Sequence, residues 1–224
     1  GFRTLSANTT GGYNTAVGYQ ALRDNLTGNY NISIGGNSLL LATTGEENTA
    51  VGYTSMQSAT TAYYNVGLGN QSLIGLTTGN SNVALGRNAM QNLTTGFENT
   101  GVGNAVFQAL TTGVYNTAIG LNSGKTITTG SNNTVVGWQM ANSGSLTTGS
   151  NNTLIGSNYQ PDANISNNVI ITDGAGAIKF RTTATNELHI VSDSVTTSAA
   201  TASTHKMKVI INGETKYILL TDIP

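Results

Sequence analysis

The sequence predicts an all-β fold, a parallel β-solenoid (β-roll) of 17-residue coils followed by a small C-terminal β-hairpin region. Three observations support this fold class: a repeat in register, an alternation of residue sizes within each repeat, and an unusual composition. Thr (36), Gly (28) and Asn (28) together supply 92 of the 224 residues. Charged residues make up only 8% of the chain, against roughly 25% in an ordinary globular domain.

The repeat is marked by an Asn that is followed four residues later by Gly. Eight such pairs follow one another at intervals of 17 residues, and a ninth arrives after 19, with the extra residues in the 142–145 stretch. The asparagines are Asn14, Asn31, Asn48, Asn65, Asn82, Asn99, Asn116, Asn133 and Asn152. Because equivalent residues of a solenoid stack about 4.8 Å apart, we expect a rod roughly 40 Å long, given nine coils. We also expect the asparagines to form a ladder of hydrogen-bonded amides along it.

Each repeat has the same order of residue types. The ladder Asn is followed by a β-branched residue, a mostly small residue, an aliphatic residue and the Gly. This alternation predicts a short strand that ends where a positive φ is tolerated. A Thr, mostly followed by Gly, precedes each Asn and predicts a second turn. We therefore expect two turns and two or three short strands per coil.

Two further columns bear on packing. An apolar column lies eight residues after each Asn, from Leu22 to Phe107, and fails at Gly124 and Ala141. The small-residue column of the strand includes Ala84 and contains no charged residue. A coil with so few aliphatic side chains gains from burying a second face, so we expect association with other chains. The small column suits close approach to such a partner.

The repeat ends near Pro161, and the composition then changes. Residues 161–224 contain 11 of the 19 charged residues and both histidines. The predicted elements are a hairpin (168–172 and 177–181), a strand (187–192), a linker (194–204) and a second hairpin (206–211 and 215–221). The second hairpin turns at Asn212 and Gly213, a pair typical of a type I′ turn. The predicted organisation is a repeat array over 1–160, a hairpin transition over 161–193, and a linker with a hairpin tip or cap over 194–224.

Several function classes are disfavoured by the sequence. Nine basic residues against ten acidic ones give no nucleic-acid footprint, and no run of 18 apolar residues predicts membrane insertion. No column repeats a carboxylate, the chain has no cysteine, and His189 and His205 lack the spacing of metal ligands. The sequence therefore predicts a protein that is not an enzyme and has no catalytic residues, metal site or cofactor.

Candidate receptor contacts are few. Trp138 is the single tryptophan and belongs to an aromatic stripe that could stack on sugar rings, although packing, either between protomers or over the coil edge, is the favoured interpretation. His205, Lys206, Lys208 and Tyr217 lie in the C-terminal segment, where side chains stop repeating and could form a specific surface. Alternatively, this hairpin only caps the open end of the solenoid.

The repeats also resemble a known class of proteins. The segments 93–103 (Leu-Thr-Thr-Gly-Phe-Glu-Asn-Thr-Gly-Val-Gly) and 112–120 (Thr-Gly-Val-Tyr-Asn-Thr-Ala-Ile-Gly) resemble repeats of phage tail fibres and of the trimeric autotransporter adhesin head domain. Segments 169–176 and 209–220 resemble tail-fibre sequences as well. The resemblance implies a left-handed β-roll, three of which pack side by side as a homotrimer. It further implies an extracellular virion tail fibre that presents a surface to a host-cell receptor, possibly a glycan, or else an adhesin on a bacterial cell surface.

Two other functions remain open. An ice-binding solenoid would use its Thr columns as a flat array, and Thr-Thr pairs recur in eight of the nine coils. However, neighbouring residues of a strand point to opposite faces. A spacer without any receptor contact is the third interpretation. Since the array begins at the first residues, we expect the chain to be a fragment or a distal piece of a longer fibre.

Overall fold

The structure is a computed structural model of the 224-residue chain. It describes residues 1–144, 146–161, 164–185, 187–190, 206–211 and 214–219, with only the backbone described at 189, 190, 206–211 and 214–219. The chain divides into two compact units, Gly1–Val191 and Ser192–Pro224. The predicted fold class is confirmed: the first unit contains a parallel β-solenoid.

Fourteen strands are present among the described residues. The first unit holds β1 (Thr15–Val17), β2 (Ile32–Ile34), β3 (Thr49–Val51), β4 (Val66–Leu68), β5 (Val83–Leu85), β6 (Thr100–Val102), β7 (Thr117–Ile119), β8 (Thr134–Val136), β9 (Thr153–Ile155), β10 (Val169–Thr172), β11 (Ile178–Thr182) and β12 (Leu188–Ile190). The second unit holds β13 (Lys206–Ile211) and β14 (Glu214–Leu219). Strands β1 to β12 form one sheet in sequence order.

The coils are joined by backbone hydrogen bonds that run in both directions along the rod. The amide of Val83 donates to the carbonyl of Asn99 in the next coil at 2.8 Å, and the amide of Gly86 donates to Leu68 in the preceding coil at 2.7 Å. Pairing within the parallel sheet is in register, with Val83 opposite Thr100. The 17-residue repeat thus fixes the register, because each strand meets its equivalent in the next coil.

Each coil contains one strand of three residues, fewer than the two or three that the sequence predicts. The reason is backbone handedness: residues one before, six after and eight after a ladder Asn adopt positive φ. Examples are Ser81 (56°), Asn88 (57°) and Met90 (48°). Left-handed residues interrupt an extended segment, but the amide of Met90 still donates to the carbonyl of Val106 in the next coil.

The small-residue column lies inside the solenoid, not at its surface. Ala84 and Ala118 are completely buried within the core of their own chain. The expectation that this column meets partner chains is therefore wrong. Since strand residues alternate between faces, burying the small residue turns both of its larger neighbours outward.

The small column is small because the side chains eight residues after the ladder Asn occupy the interior. A Cβ added to Gly67 would lie 3.0 Å from Cε of Met56, and one added to Gly101 would lie 3.0 Å from Cε of Met90. A long methionine in one coil is thus accommodated by a glycine in the strand of the next.

The same compensation explains where the apolar column fails. Gly124 and Ala141 replace the large residue, and the following strands carry Val135 and Leu154, both completely buried. The ring of Phe107 also fills the space at Gly124, where an added Cβ would lie 2.5 Å from Cε1. Interior volume is conserved from coil to coil, as close packing requires.

The array ends in an antiparallel extension of the sheet. β10 pairs in parallel with β9 and antiparallel with β11, which pairs antiparallel with β12. This confirms the predicted hairpin around Asp173 and the strand that follows it. Asn168 donates from its backbone amide to Oδ1 of Asn152 at 3.1 Å, so the coil stack extends one strand beyond the ninth predicted coil.

The second unit contains the predicted C-terminal strands. β13 and β14 pair antiparallel from Lys206 opposite Leu219 to Ile211 opposite Glu214. The predicted turn residues Asn212 and Gly213 lie outside the described residues.

Candidate interaction surface

Eight of the nine ladder asparagines, from Asn31 to Asn152, are buried, whereas Asn14 in the first coil is half-buried. Those from Asn48 to Asn133 use the full bonding capacity of their amides. Nδ2 of Asn82 donates to Oδ1 of Asn65 and to the carbonyl of Gly96, both at 3.0 Å. Its Oδ1 accepts the backbone amide of Asn99 at 3.1 Å and Nδ2 of Asn99 at 3.0 Å. Such amides join three successive coils, and a polar group without partners at this depth would be costly.

The two threonines of each Thr-Thr pair have different roles. The first Thr of a pair donates its hydroxyl to the backbone carbonyl of its equivalent in the next coil, as Thr77 does to Thr94 at 3.1 Å. The second Thr is exposed in all nine coils. The exposed members are Thr10, Thr27, Thr44, Thr61, Thr78, Thr95, Thr112, Thr129 and Thr148. One column of each pair is therefore free at the surface, and the other stabilises the stack.

The outward side of strands β1 to β10 forms a continuous surface that we call the strand face. It consists of the residues one and three positions after each ladder asparagine and after Asn168. Its members are Thr15, Val17, Ile32, Ile34, Thr49, Val51, Val66, Leu68, Val83, Leu85, Thr100, Val102, Thr117, Ile119, Thr134, Val136, Thr153, Ile155, Val169 and Ile171.

The strand face is uncharged and mainly aliphatic, and each of its residues is exposed or half-buried. It contains only Thr, Val, Ile and Leu, so no charged residue interrupts it. Val17 is 57% exposed, Ile119 45% and Leu68 38%. Single exposed apolar residues are common, but a contiguous apolar patch of several hundred Å² typically marks an interaction site.

Two rows of residues border the strand face. We call the residues directly before the ladder asparagines the leading edge and those five positions after them the trailing edge. The leading edge is Tyr13, Tyr30, Glu47, Tyr64, Ser81, Glu98, Tyr115, Asn132 and Asn151, and the trailing edge is Tyr19, Gly36, Tyr53, Asn70, Arg87, Asn104, Leu121, Trp138 and Ser157.

Aromatic rings at the leading edge contact other rings of the same chain. Tyr13 and Tyr30 stack with ring centroids 4.9 Å apart. Tyr115 meets the ring of Phe97 edge-on at 5.4 Å. On the trailing edge, Trp138 is 45% exposed, so the predicted contact residue has part of its surface available to a partner.

The remaining predicted receptor contacts belong to the C-terminal unit. Lys206 and Lys208 lie in β13, and Tyr217 lies in β14 opposite Lys208. The structure therefore brings Lys208 and Tyr217 together as neighbours in one antiparallel pair. His205 lies outside the described residues.

Two carboxyl groups have perturbed titration. Hydrogen bonding to the Arg23 guanidinium, at 2.6 Å from Oδ1, holds the pKa of Asp24 below its ordinary value. Backbone amides of Ala177 and Ala175, and then Lys179, lower the pKa of Asp173 in the turn between β10 and β11. Both carboxylates stabilise local structure in the charged form.

Within the described part of the chain, no three His, Cys, Asp or Glu side chains come together as metal ligands would. The described residues also contain no apolar helix of the length that a membrane span requires.

Comparison of the chain with protein-family models, with curated proteins and with solved structures gave no match.

The strand face was missed at the sequence level, although its residues were visible there. The alternation of aliphatic and small residues was correctly identified as a strand, but the small side was assigned to the partner. The signal that could have corrected this is the inverse size relation between the column eight residues after Asn and the small column of the next coil. Residues that compensate for each other's volume must share an interior.

Proposed function

We propose that the chain is a structural, non-enzymatic segment of a fibre that functions in attachment to host cells, as a homotrimer in a phage tail or related particle. The observation that carries the proposal is the construction of the coil stack. Each coil is bonded to both neighbours through its backbone, and the ladder asparagines add side-chain bonds along the whole array. Because consecutive coils are bonded to each other in this way, the array resists bending along its length.

Side-by-side association is supported by the exposed strand face, because one chain leaves its larger aliphatic residues uncovered. The number three and the extracellular, virion location come from the resemblance to tail fibres and adhesin heads. A bacterial cell-surface adhesin would have the same construction.

We assign the recognition role to the C-terminal unit. The residues to test there are Lys206, Lys208, His205 and Tyr217. Trp138 is a further candidate in the array. At the end of the array the edge of β10 is already paired with β11, and β11 with β12. This supports recognition over capping for the β13–β14 hairpin, because another element protects the edge of the last coil.

Deletion of residues 194–224 tests this role. We expect a protein that stays soluble and keeps its number of associated chains in light scattering but no longer attaches to host cells. Lys206→Ala and Tyr217→Ala should each reduce attachment, whereas Lys125→Ala in the array should not. A deletion that aggregates, together with full attachment by both point variants, would assign the hairpin to capping.

Ice binding is a second candidate, favoured by the nine exposed threonines in register. Against it, the neighbouring Thr column is engaged in hydrogen bonds to the next coil, which leaves one free column where a flat array needs at least two. A thermal hysteresis assay separates the two functions, and Thr78→Tyr with Thr95→Tyr would abolish any activity that depends on the exposed column.

A further inference from the structure

We propose that the leading edge of coils 2 to 4 binds an organic ammonium cation, of the trimethylammonium type found in choline, between Tyr30, Glu47 and Tyr64. The site lies on the repeat array and uses none of the C-terminal residues. It therefore goes beyond the proposed attachment function and can be tested independently of it.

The leading edge places a carboxylate between two tyrosines in successive coils. Tyr30, Glu47 and Tyr64 directly precede the ladder asparagines of coils 2, 3 and 4. The amide of Glu47 donates to the carbonyl of Asn29 at 3.0 Å, and the amide of Tyr64 donates to the carbonyl of Glu46 at 3.1 Å. Since bonded coils are about 4.8 Å apart, the two tyrosines lie on either side of the acidic residue along the rod.

One face of the Tyr30 ring is available beside Glu47. Tyr13, in the preceding coil, stacks on the other face with ring centroids 4.9 Å apart and an angle of 2° between the ring planes. Tyr30 is still 56% exposed, and it lines an open depression of about 400 Å³ together with Glu47. The depression thus combines an aromatic face with a carboxylate.

Contacts among the neighbouring side chains fix the surroundings of the depression. Oε1 of Glu46 accepts a hydrogen bond from Nδ2 of Asn29 at 2.9 Å. The rings of Tyr63 and Tyr64 meet edge-on with centroids 5.1 Å apart, and the hydroxyl of Tyr63 accepts a hydrogen bond from Nδ2 of Asn80 at 3.1 Å. Groups that are ordered before a ligand binds lower the entropic cost of binding.

The charge of the site selects a cation as its ligand. Glu46 and Glu47 are both exposed, and neither forms an ion pair within the part of the chain that the structure describes. A cation midway between Tyr30 and Tyr64 would be about 5 Å from each along the rod, within the roughly 6 Å over which a ring attracts a cation. Aromatic faces suit methylated ammonium groups in particular, whereas a neutral sugar needs no carboxylate without a counterion.

The backbone conformation adds to this argument. Tyr30, Glu47 and Tyr64 have φ angles of 58°, 54° and 59°, in a region where Asn is enriched and larger residues are uncommon. Coils 8 and 9 carry Asn132 and Asn151 at the same position. Large residues therefore replace the preferred one in coils 2 to 4, and residues in such conformations cluster at ligand sites.

Coils 5 to 7 provide an internal comparison. The order Ser81, Glu98, Tyr115 repeats the proposed site, except that a serine replaces the first tyrosine. This segment has the carboxylate and one ring but lacks the second aromatic face. We therefore expect no choline binding there in the natural chain.

Isothermal titration calorimetry of the full chain with choline chloride, against sodium chloride at the same ionic strength, tests the site. Tyr30→Asn introduces a residue that this column already contains, and Glu47→Gln retains the shape of the side chain. We expect each to weaken choline binding about fivefold or more, through loss of a ring or of a charge. The matched controls Tyr115→Asn and Glu98→Gln should leave the affinity unchanged, and circular dichroism confirms that each variant is folded.

A rescue variant tests whether the order of residue types is sufficient. Ser81→Tyr places a ring beside Glu98, with Tyr64 in the coil before it as Tyr13 precedes Tyr30. Added to Glu47→Gln, it should restore most of the choline binding that the single variant loses. A double variant that binds no better than Glu47→Gln would overturn the assignment of the site to this order.

The other outcomes concern the ligand. No choline binding by the natural chain, or equal affinity in Tyr30→Asn and Glu47→Gln, would overturn the site. The neutral isostere 3,3-dimethyl-1-butanol should bind more weakly than choline, and equal binding of it or of a methyl glucoside would overturn a cation as the ligand.

Two further measurements identify the source of the cation and separate the site from the attachment function. Cosedimentation with phosphatidylcholine but not phosphatidylglycerol vesicles would support a lipid headgroup as the source, and binding of free choline alone would support a soluble or polymer-linked one. Deletion of residues 194–224 should leave choline binding unchanged. Loss of choline binding on this deletion would overturn a site on the array, whereas loss of cell attachment alone would leave it intact.

Discussion

The inner and outer residues of the same strands differ in a way that reverses the usual rule. In β5, Ala84 is completely buried, while Val83 and Leu85 on either side of it remain partly accessible. The larger apolar residues therefore face outward and the smallest one faces the core. Within the array the interior volume is limited by the side chains that enter from the opposite side of the coil. The larger aliphatics are outward because the interior is already full, and this outward row supports the proposed association with other chains.

The largest effect that tests this comparison is expected from Ala84→Arg. A guanidinium among completely buried side chains has no partner and no space, and an unpaired buried charge costs several kcal/mol. We expect loss of the folded array in thermal melts followed by circular dichroism. Asn80→Arg, in the half-buried turn before the same strand, should shift the midpoint by only a few degrees. If the Ala84→Arg chain folds and only fails to oligomerise, the small-residue column lies at the surface and the comparison is wrong.

Replacing one leucine of the core and one leucine of the strand face by alanine tests the comparison further. Leu73 is completely buried, so Leu73→Ala should destabilise the chain by about 2–5 kcal/mol in urea unfolding. Leu68→Ala removes the same atoms from the strand face. Under the proposed association its cost should depend on protein concentration, because the outer residue would be covered only in the oligomer. Equal and concentration-independent losses for the two variants would contradict a distinction between core and interface.

Breaking the asparagine ladder should have a somewhat smaller effect. Asn82→Ala removes the acceptor of both the backbone amide and Nδ2 of Asn99, and we expect a loss of about 2–3 kcal/mol from these unpaired buried groups. Asn80→Ala is the matched control, since the side chain of Asn80 donates to the hydroxyl of Tyr63 at an exposed site. It should cost less than about 0.5 kcal/mol. Urea titrations of both variants at one protein concentration provide the measurement.

The smallest effect concerns volume compensation between coils. Gly124→Ala should destabilise the chain by about 1–3 kcal/mol, because its Cβ would meet the ring of Phe107 in a filled core. In a Phe107→Leu background the same substitution should cost at least about 0.5 kcal/mol less, a coupling typical of residues in contact. Additive effects in the double-mutant cycle would show that these two positions do not share space.

Much of the fold followed from the sequence. The 17-residue spacing of the ladder asparagines predicted parallel coils, because only a stack of equivalent coils brings such residues together. The positions of the strands followed from the alternation around Ala84 and its equivalents, and the hairpin at Asp173 followed from its turn residues. The predicted receptor contacts could be assigned only to elements, since the conformation of an irregular segment depends on contacts that no repeat reveals.

The sequence by itself therefore determined the repeat, its register and the location of each strand, because periodicity along a chain is independent of tertiary detail. The tertiary structure alone decided which side of the strand is the interior and where left-handed residues turn the coil. Leu73 and Met90 adopt positive φ, which their residue types disfavour, because this conformation directs them into the core. That placement fills the space behind the strands, leaves room only for small residues such as Ala84, and turns the larger aliphatic residues outward.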